Sequence, residues 1–294
     1  MLGRRLLGLS IAVVLLVPVG WGLSRAYRIF KPDQHGARVT HFTLRSALVG
    51  RSLGEVVVVP KGGGAGRPLL VLLHGRGSSP NSYLTRYWFD ALARLGSRAP
   101  NLLLVNGGDH SYYHDRADGR WGSYVVNEAI PAALARTEAD HQRIAIGGIS
   151  MGGFGALFAG LRHPGAFCAV GGHSAALWRT GGETPQGAFD DAADFARNDV
   201  IGMASRRSTP LGGKTRVWID VGNQDPFASA DAELVRVLRE HGQKVTFHAW
   251  PALTRAPTGA STSAPICAFT RTHWPLAELR QADAEVGSSL KSPA

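Results

Sequence analysis

A serine that could act as a nucleophile stands at residue 150, in the run GISMG at 148–152, which matches the pattern G-x-S-x-G. A strand-like run at 143–147 precedes it, and small residues typical of a closely packed helix follow. In such a turn the glycines let the backbone bend sharply. The bend lifts the serine oxygen clear of the sheet and turns the first amides of the helix toward a developing oxyanion. The pattern therefore predicts acyl chemistry at Ser150.

A second motif, HGRG at 74–77, follows an uninterrupted apolar run at 68–73. Hydrolases with a serine elbow take their second oxyanion donor, a backbone N–H, from a loop in this position. We therefore expect the amides of Arg76 and Met151 to form an oxyanion hole. His74 comes too early in the chain for the order serine, acid, histidine, so we interpret it as a residue that shapes the loop.

A candidate acid, Asp225, lies in a loop between a strand-like run at 215–221 and a helical run at 228–240. A carboxylate there can accept a hydrogen bond from a histidine ring N–H and stabilise the imidazolium that forms during catalysis. Asp220 is the alternative acid, although it lies inside the strand. Asp225 also fits a simpler role as a cap of the following helix.

The loop at 107–121 is rich in aromatic residues and histidine, and it follows a strand. We expect it to border the active site, with Tyr113, His114 and Trp121 joining His74 at the edge of a substrate pocket. A purely structural loop is the alternative. No spacing of His, Cys and Asp residues suggests a metal site, and no cofactor is predicted.

Apolar strands alternate with amphipathic helices through the middle of the chain. Runs at 68–73 and 102–105 are apolar throughout, which is typical of strands buried on both faces, whereas 84–95 has helical spacing. This alternation predicts the α/β class, with a mostly parallel central sheet and helices on both faces.

Five segments together resemble one family: LLVLLHGRGS, the run from Trp121 to Pro131, GGISMGGFGAL, GGHSAALW and DVGNQDPF. They are similar to the serine esterase family of α/β hydrolases, which includes esterase D-like enzymes, feruloyl and acetyl esterases and mycolyltransferases. The resemblance covers about residues 39–251. It implies Ser150 as nucleophile, Asp225 as acid, and a catalytic histidine about thirty residues beyond the acid.

That histidine is not found at the expected distance. His273 is the only histidine after His248, and it stands forty-eight residues beyond Asp225 in a stretch without helical or strand periodicity. Reading the gene one base earlier allows histidine at Thr254 or Thr258, and Tyr-Leu-Arg-Phe-Tyr at 266–270, as the family expects. We therefore interpret the sequence from 252 onward as a frame slip, and His273 as the candidate base of the chain as written.

These residues predict a serine hydrolase that cleaves carboxylic esters through an acyl-Ser150 intermediate. Its substrate would be a small acyl ester or an esterified polymer. The missing histidine leaves a catalytically impaired binding or regulatory protein as an alternative. An acyltransferase is a second alternative, because water and another alcohol compete for the same acyl-enzyme.

The N-terminus predicts targeting. Arg4 and Arg5 precede an uncharged apolar run from Leu6 to Ser24, close to the length that spans a bilayer. We expect a signal peptide or signal anchor at 1–26, a linker at 27–36, the hydrolase domain at 37–275 and a disordered tail at 276–294. The protein would then be secreted, or held by its N-terminus outside the cytoplasm. The net charge is +10, but without a block of Lys and Arg we predict no nucleic-acid partner.

Overall fold

The strands of the sheet form where β-branched and leucine residues run together. In a computed structural model of the protein, which describes residues 32–251, Leu69–Leu73 is a strand in which every residue is at most 1% exposed. Such a strand can form only if both faces of the sheet are covered. The strands are β1 (Arg38–Arg45), β2 (Ser52–Val59), β3 (Leu69–Leu73), β4 (Asn101–Val105), β5 (Asp115–Arg116), β6 (Gly119–Arg120), β7 (Ile144–Ile149), β8 (Ala169–His173), β9 (Arg216–Gly222) and β10 (Val245–Trp250).

Within residues 32–251, seven α-helices alternate with the strands. They are α1 (Arg86–Leu95), α2 (Trp121–Tyr124), α3 (Ile130–Thr137), α4 (Met151–Arg162), α5 (Ala192–Asn198), α6 (Val200–Ser205) and α7 (Ala228–Glu240). A π-helical turn, Val125–Ala129, joins α2 to α3, and Pro131 stands at the start of α3. Proline has no N–H to donate, so it fits the first turn of a helix better than its interior.

Eight strands form one sheet in the order β1-β2-β4-β3-β7-β8-β9-β10. The pairs from β4 to β10 are parallel, and β2 runs antiparallel to both of its neighbours. Helix α1 covers one face through Trp88, Phe89 and Leu92. Helices α3, α4, α6 and α7 contribute to the apolar cluster on the other face. The predicted class, with its mostly parallel sheet and helices on both faces, is confirmed.

Helix α4 packs very close to the sheet at its first turn. A Cβ atom on Gly152 would lie 1.8 Å from the carbonyl oxygen of Leu73, and one on Gly148 would lie 2.4 Å from the carbonyl oxygen of Gly152. These contacts are with backbone atoms, which cannot rotate away. The two glycines of the serine motif are therefore required by the approach of the helix to β3.

Outside the described residues lie the predicted signal or anchor at 1–26 and the segment after 251, which contains His273. The domain limits at 37 and 275 stay predictions. Within residues 32–251 no helix is long and apolar enough to cross a membrane. The short β5–β6 hairpin and helices α5 and α6 were not expected from the sequence.

We expect Gly152→Ala to destabilise the domain by about 3 kcal/mol or more, because the added methyl group overlaps the Leu73 carbonyl. The matched control is Gly213→Ala, since a Cβ atom there meets nothing within 4 Å. Urea unfolding of both variants measures the difference. Equal stability of the two variants would contradict the close approach of α4 to β3.

Candidate active site

Ser150 lies in a strained turn between β7 and α4. Its backbone has φ +53° and ψ −115°, a conformation that side chains rarely adopt and that persists only where surrounding contacts hold it. The Ser150 N–H donates to the carbonyl oxygen of His173 at 3.0 Å, and its own carbonyl accepts from the amide of Ala176 at 3.0 Å. The backbone of the candidate nucleophile is thus fixed by the end of β8.

The loop after β3 approaches the serine from the other side. A Cβ atom on Gly75 would lie 3.7 Å from the Ser150 Cβ, so the loop carrying Arg76 is adjacent to the nucleophile. The amide of Gly77 donates to the Asp109 carbonyl at 2.9 Å and holds this loop in place. The Arg76 guanidinium reaches the Gln186 carbonyl at 3.5 Å. Met151 is the first residue of α4. Both predicted oxyanion donors therefore belong to segments that flank Ser150.

His74 is buried and anchors this loop. Its Nδ1 contacts the carbonyl of Gly75 at 2.9 Å, and its Nε2 accepts from the amide of Gly107 at 3.1 Å. The Tyr113 hydroxyl donates to the His74 carbonyl at 3.2 Å. Burial lowers the pKa of His74, which favours the neutral ring that accepts at Nε2. These bonds connect the HGRG loop to the loop at 107–121.

The side chains of Tyr113, His114 and Trp121 are packed inside the structure and are 0–2% exposed. Two close contacts fix the ring of Tyr113, because a Cβ atom on Gly107 or Gly155 would overlap it. His114 donates from Nε2 to Asp194 at 2.9 Å. Contact of these three side chains with a substrate stays a prediction, since their described partners are within the protein.

Asp225 lies in the loop after β9 and is half-buried. One of its oxygens accepts the Ser174 hydroxyl at 2.6 Å, and the other accepts the amide of Phe227 at 2.9 Å. Ser174 follows His173 directly, so the candidate acid is connected to the same strand end that holds Ser150. Ser174 was missed by the sequence reasoning, although the GGHSAALW segment that contains it was noticed.

Asp220, the alternative acid, lies under this strand end and is 1% exposed. Its two oxygens accept from Nδ1 of His173 and from the indole N–H of Trp250. His248 stacks on Trp250 and lies tilted against Trp218, with ring centres 5.3 and 4.6 Å apart. The His248 ring therefore packs against neighbouring aromatic rings of β9 and β10, as an ordinary structural residue of the sheet does. Within residues 32–251 no histidine ring hydrogen-bonds to the Ser150 hydroxyl.

Two further acids are fully buried. Glu55 accepts from the Tyr124 hydroxyl and from the amide of Asn106, and burial raises its pKa to about 7. Asp231, in the first turn of α7, accepts the amide of Ala175 at 3.2 Å. A lone acid within an apolar strand, as in SLGEVVVV, is a sequence signal for such a group. The described part of the chain contains no cluster of His, Cys, Asp and Glu able to hold a metal ion.

The chain is similar to known esterases over most of this domain. The sequence profile of the family described as Putative esterase matches residues 46–249. Esterase MT1326 of Mycobacterium tuberculosis (strain CDC 1551 / Oshkosh) is 24% identical over 177 residues, which are 56% of this chain. The chain spans only 38% of the length of that relative.

Two solved structures share the fold. A ferulic acid esterase has a TM-score of 0.63 at 22% identity and covers 74% of this chain and 90% of its own. FphF, a fluorophosphonate-binding serine hydrolase of Staphylococcus aureus, has a TM-score of 0.62 at 18% identity over 74% of this chain and 92% of its own. At these identities the likeness establishes the α/β-hydrolase fold.

Glu55 predicts a pH dependence of stability. Its pKa is about 7 in the fold against 4.5 for an unburied glutamate, so the unfolded chain loses this proton first as pH rises. The neutral form therefore stabilises the fold below pH 4.5, and about 3 kcal/mol of that contribution is lost as pH rises through 7. Glu55→Gln, which mimics the neutral acid, should remove this loss.

Urea unfolding at pH 4.5 and pH 8 measures the effect, with the exposed Glu240→Gln as the control. A difference between wild type and Glu55→Gln that does not change with pH would contradict the assignment.

Proposed function

Because the chain belongs to the Putative esterase family, we propose that it hydrolyses carboxylic esters through an acyl-Ser150 intermediate. The observation that carries the proposal is the strained Ser150 turn at the start of α4, adjacent to the HGRG loop. Such a turn costs stability and is retained where its geometry serves a reaction.

In the proposed reaction the Ser150 oxygen attacks the ester carbonyl carbon while a base removes the hydroxyl proton. The amides of Arg76 and Met151 donate to the oxyanion of the tetrahedral intermediate. The alcohol then leaves with the proton, and an acyl-Ser150 ester remains. Water attacks this ester in the same way, which releases the carboxylic acid and restores the serine. Asp225 orients the base and stabilises its charged form.

The base of this mechanism is not found where the family resemblance expects it, about thirty residues beyond Asp225. The family profile ends at residue 249, just before the sequence departs from the family pattern at 252. We propose that a frame slip after Pro251 has replaced the segment that carried the histidine, and that His273 is the remaining candidate.

We propose a small acyl ester or an esterified polymer as the substrate, met outside the cytoplasm after export by the N-terminal segment. Ferulic acid ester cleavage belongs to a protein of the same fold and is one candidate reaction. If the chain lacks a base, it is instead a binding or regulatory protein on a hydrolase scaffold. An acyltransferase would use the same acyl-enzyme with a different acceptor.

Labelling by a fluorophosphonate probe tests the nucleophile. We expect the frame-restored chain to be labelled and its Ser150→Ala variant to lose labelling, because the probe phosphonylates an activated serine oxygen. The exposed Ser205→Ala is the matched control and should be labelled like wild type. Labelling of Ser150→Ala equal to wild type would exclude Ser150. The same variants in the 294-residue chain separate a wrong nucleophile from a missing base, because weak labelling there alone points to the base.

Hydrolysis of p-nitrophenyl esters tests the base. Loss of a triad member typically lowers the rate on the order of 10⁴–10⁶-fold, so we expect the 294-residue chain to be slower than the frame-restored chain by a factor of that order. Sequencing of codons 245–280 establishes the frame. Fast hydrolysis by the 294-residue chain that His273→Ala abolishes would contradict this prediction and assign the base to His273.

A further inference from the structure

The residues after β8 connect the nucleophile to the candidate acid. We call residues 173–176 the bridging segment. On one side it holds the backbone of Ser150 by two hydrogen bonds, one to the His173 carbonyl and one from the Ala176 amide. Ala175 also packs against α4, since a Cβ atom on Gly153 would lie 2.9 Å from its Cα. The segment therefore has little freedom relative to Ser150.

On its other side the bridging segment holds the unit from Asp225 to the first turn of α7. The Ser174 hydroxyl donates to Asp225 at 2.6 Å, and the Ala175 amide donates to Asp231 at 3.2 Å. The Asp231 amide in turn donates to the carbonyl of Phe227 at 2.9 Å, so the acid loop and the helix start move together. Two hydrogen bonds on each side thus set the spacing between nucleophile and acid.

Asp231 is an unusual partner for a neutral amide. It is fully buried, and its Oδ1 has no hydrogen-bond partner in the described part of the chain. Burial raises its pKa well above the usual range, the Ala175 amide opposes this, and the nearby Asp225 and Asp220 raise it further. Burial therefore favours the protonated carboxyl, and a proton on Asp231 removes its repulsion with Asp225 and Asp220.

We propose that Asp231 is a positioning residue, a buried acceptor that fixes the bridging segment through the Ala175 amide and thereby the distance between Ser150 and Asp225. The inference rests on the proposed function, because this distance matters only if both residues serve one reaction. The position of Asp231 in the sequence does not by itself require this role, because an acidic residue in the first turn of a helix also stabilises the helix through its dipole. The two roles differ in what a change of side chain does.

Two variants separate them. Asp231→Asn keeps an oxygen that accepts the Ala175 amide and stays neutral, whereas Asp231→Ala removes the acceptor. Glu240→Ala, at the other end of α7 and exposed, is the matched control. Whichever full-length chain hydrolyses p-nitrophenyl esters, the 294-residue or the frame-restored one, is assayed for kcat and KM with p-nitrophenyl acetate. The amide exchange of residues 173–176 is measured by mass spectrometry.

We expect Asp231→Ala to lower kcat on the order of 10²-fold, as a displacement of about 1 Å in a catalytic group can do, with KM unchanged and faster exchange at Ala175. Asp231→Asn should restore most of kcat and the slow exchange. Normal kcat and exchange in Asp231→Ala would overturn the proposal. Equal impairment of Asp231→Asn and Asp231→Ala would also overturn it, because a neutral acceptor would then be insufficient.

If no form of the chain shows turnover that depends on Ser150, the proposed function fails, and the exchange measurement alone decides this inference. Faster exchange at Ala175 in Asp231→Ala, but not in Asp231→Asn or Glu240→Ala, would support the hydrogen bond that holds the segment. Exchange as slow as in wild type would overturn it. Circular dichroism of each variant distinguishes a loss of position from a loss of fold.

Discussion

The active region depends on one strained residue being held in place. Ser150 has a positive φ, and nothing in its own side chain favours that conformation. The cost, on the order of 1–3 kcal/mol, is offset by the hydrogen bonds of its N–H and carbonyl to the end of β8 and by the contact of Gly152 with β3. A substitution that shifts either strand would therefore change the conformation of Ser150.

The buried acids around this turn differ in how the fold accommodates them. Asp220 is paired with His173 and with the indole of Trp250, so both of its oxygens have donors. No cation of the described residues contributes to the pKa of Glu55 or Asp231, and burial raises both pKa values, to about 7 for Glu55. Asp225, by contrast, is half-buried, and its two oxygens accept the Ser174 hydroxyl and the Phe227 amide. This division separates structural acids from a candidate catalytic one.

The sequence predicted the sheet, most of the helices and the Ser150 turn because these depend on local patterns. A short apolar run such as 69–73 favours a buried strand, and G-x-S-x-G between a strand and a helix favours a sharp turn. It did not predict the contacts made by Ser174 and Asp231, because these join residues 51 and 56 positions apart. Nor did it predict that Tyr113 and His114 would be buried, since an aromatic loop has no periodicity from which burial can be judged.

The geometry of Asp225 also defines what a base must do. A carboxylate has about four lone-pair sites, and Ser174 and Phe227 occupy one on each oxygen. Capacity remains for a histidine ring N–H without displacing either donor. Such a ring must also reach the Ser150 hydroxyl, and Ser174 connects Asp225 to the strand end that holds the backbone of Ser150. A base that activates Ser150 therefore has to lie beside the bridging segment at the end of β8, whichever segment supplies it.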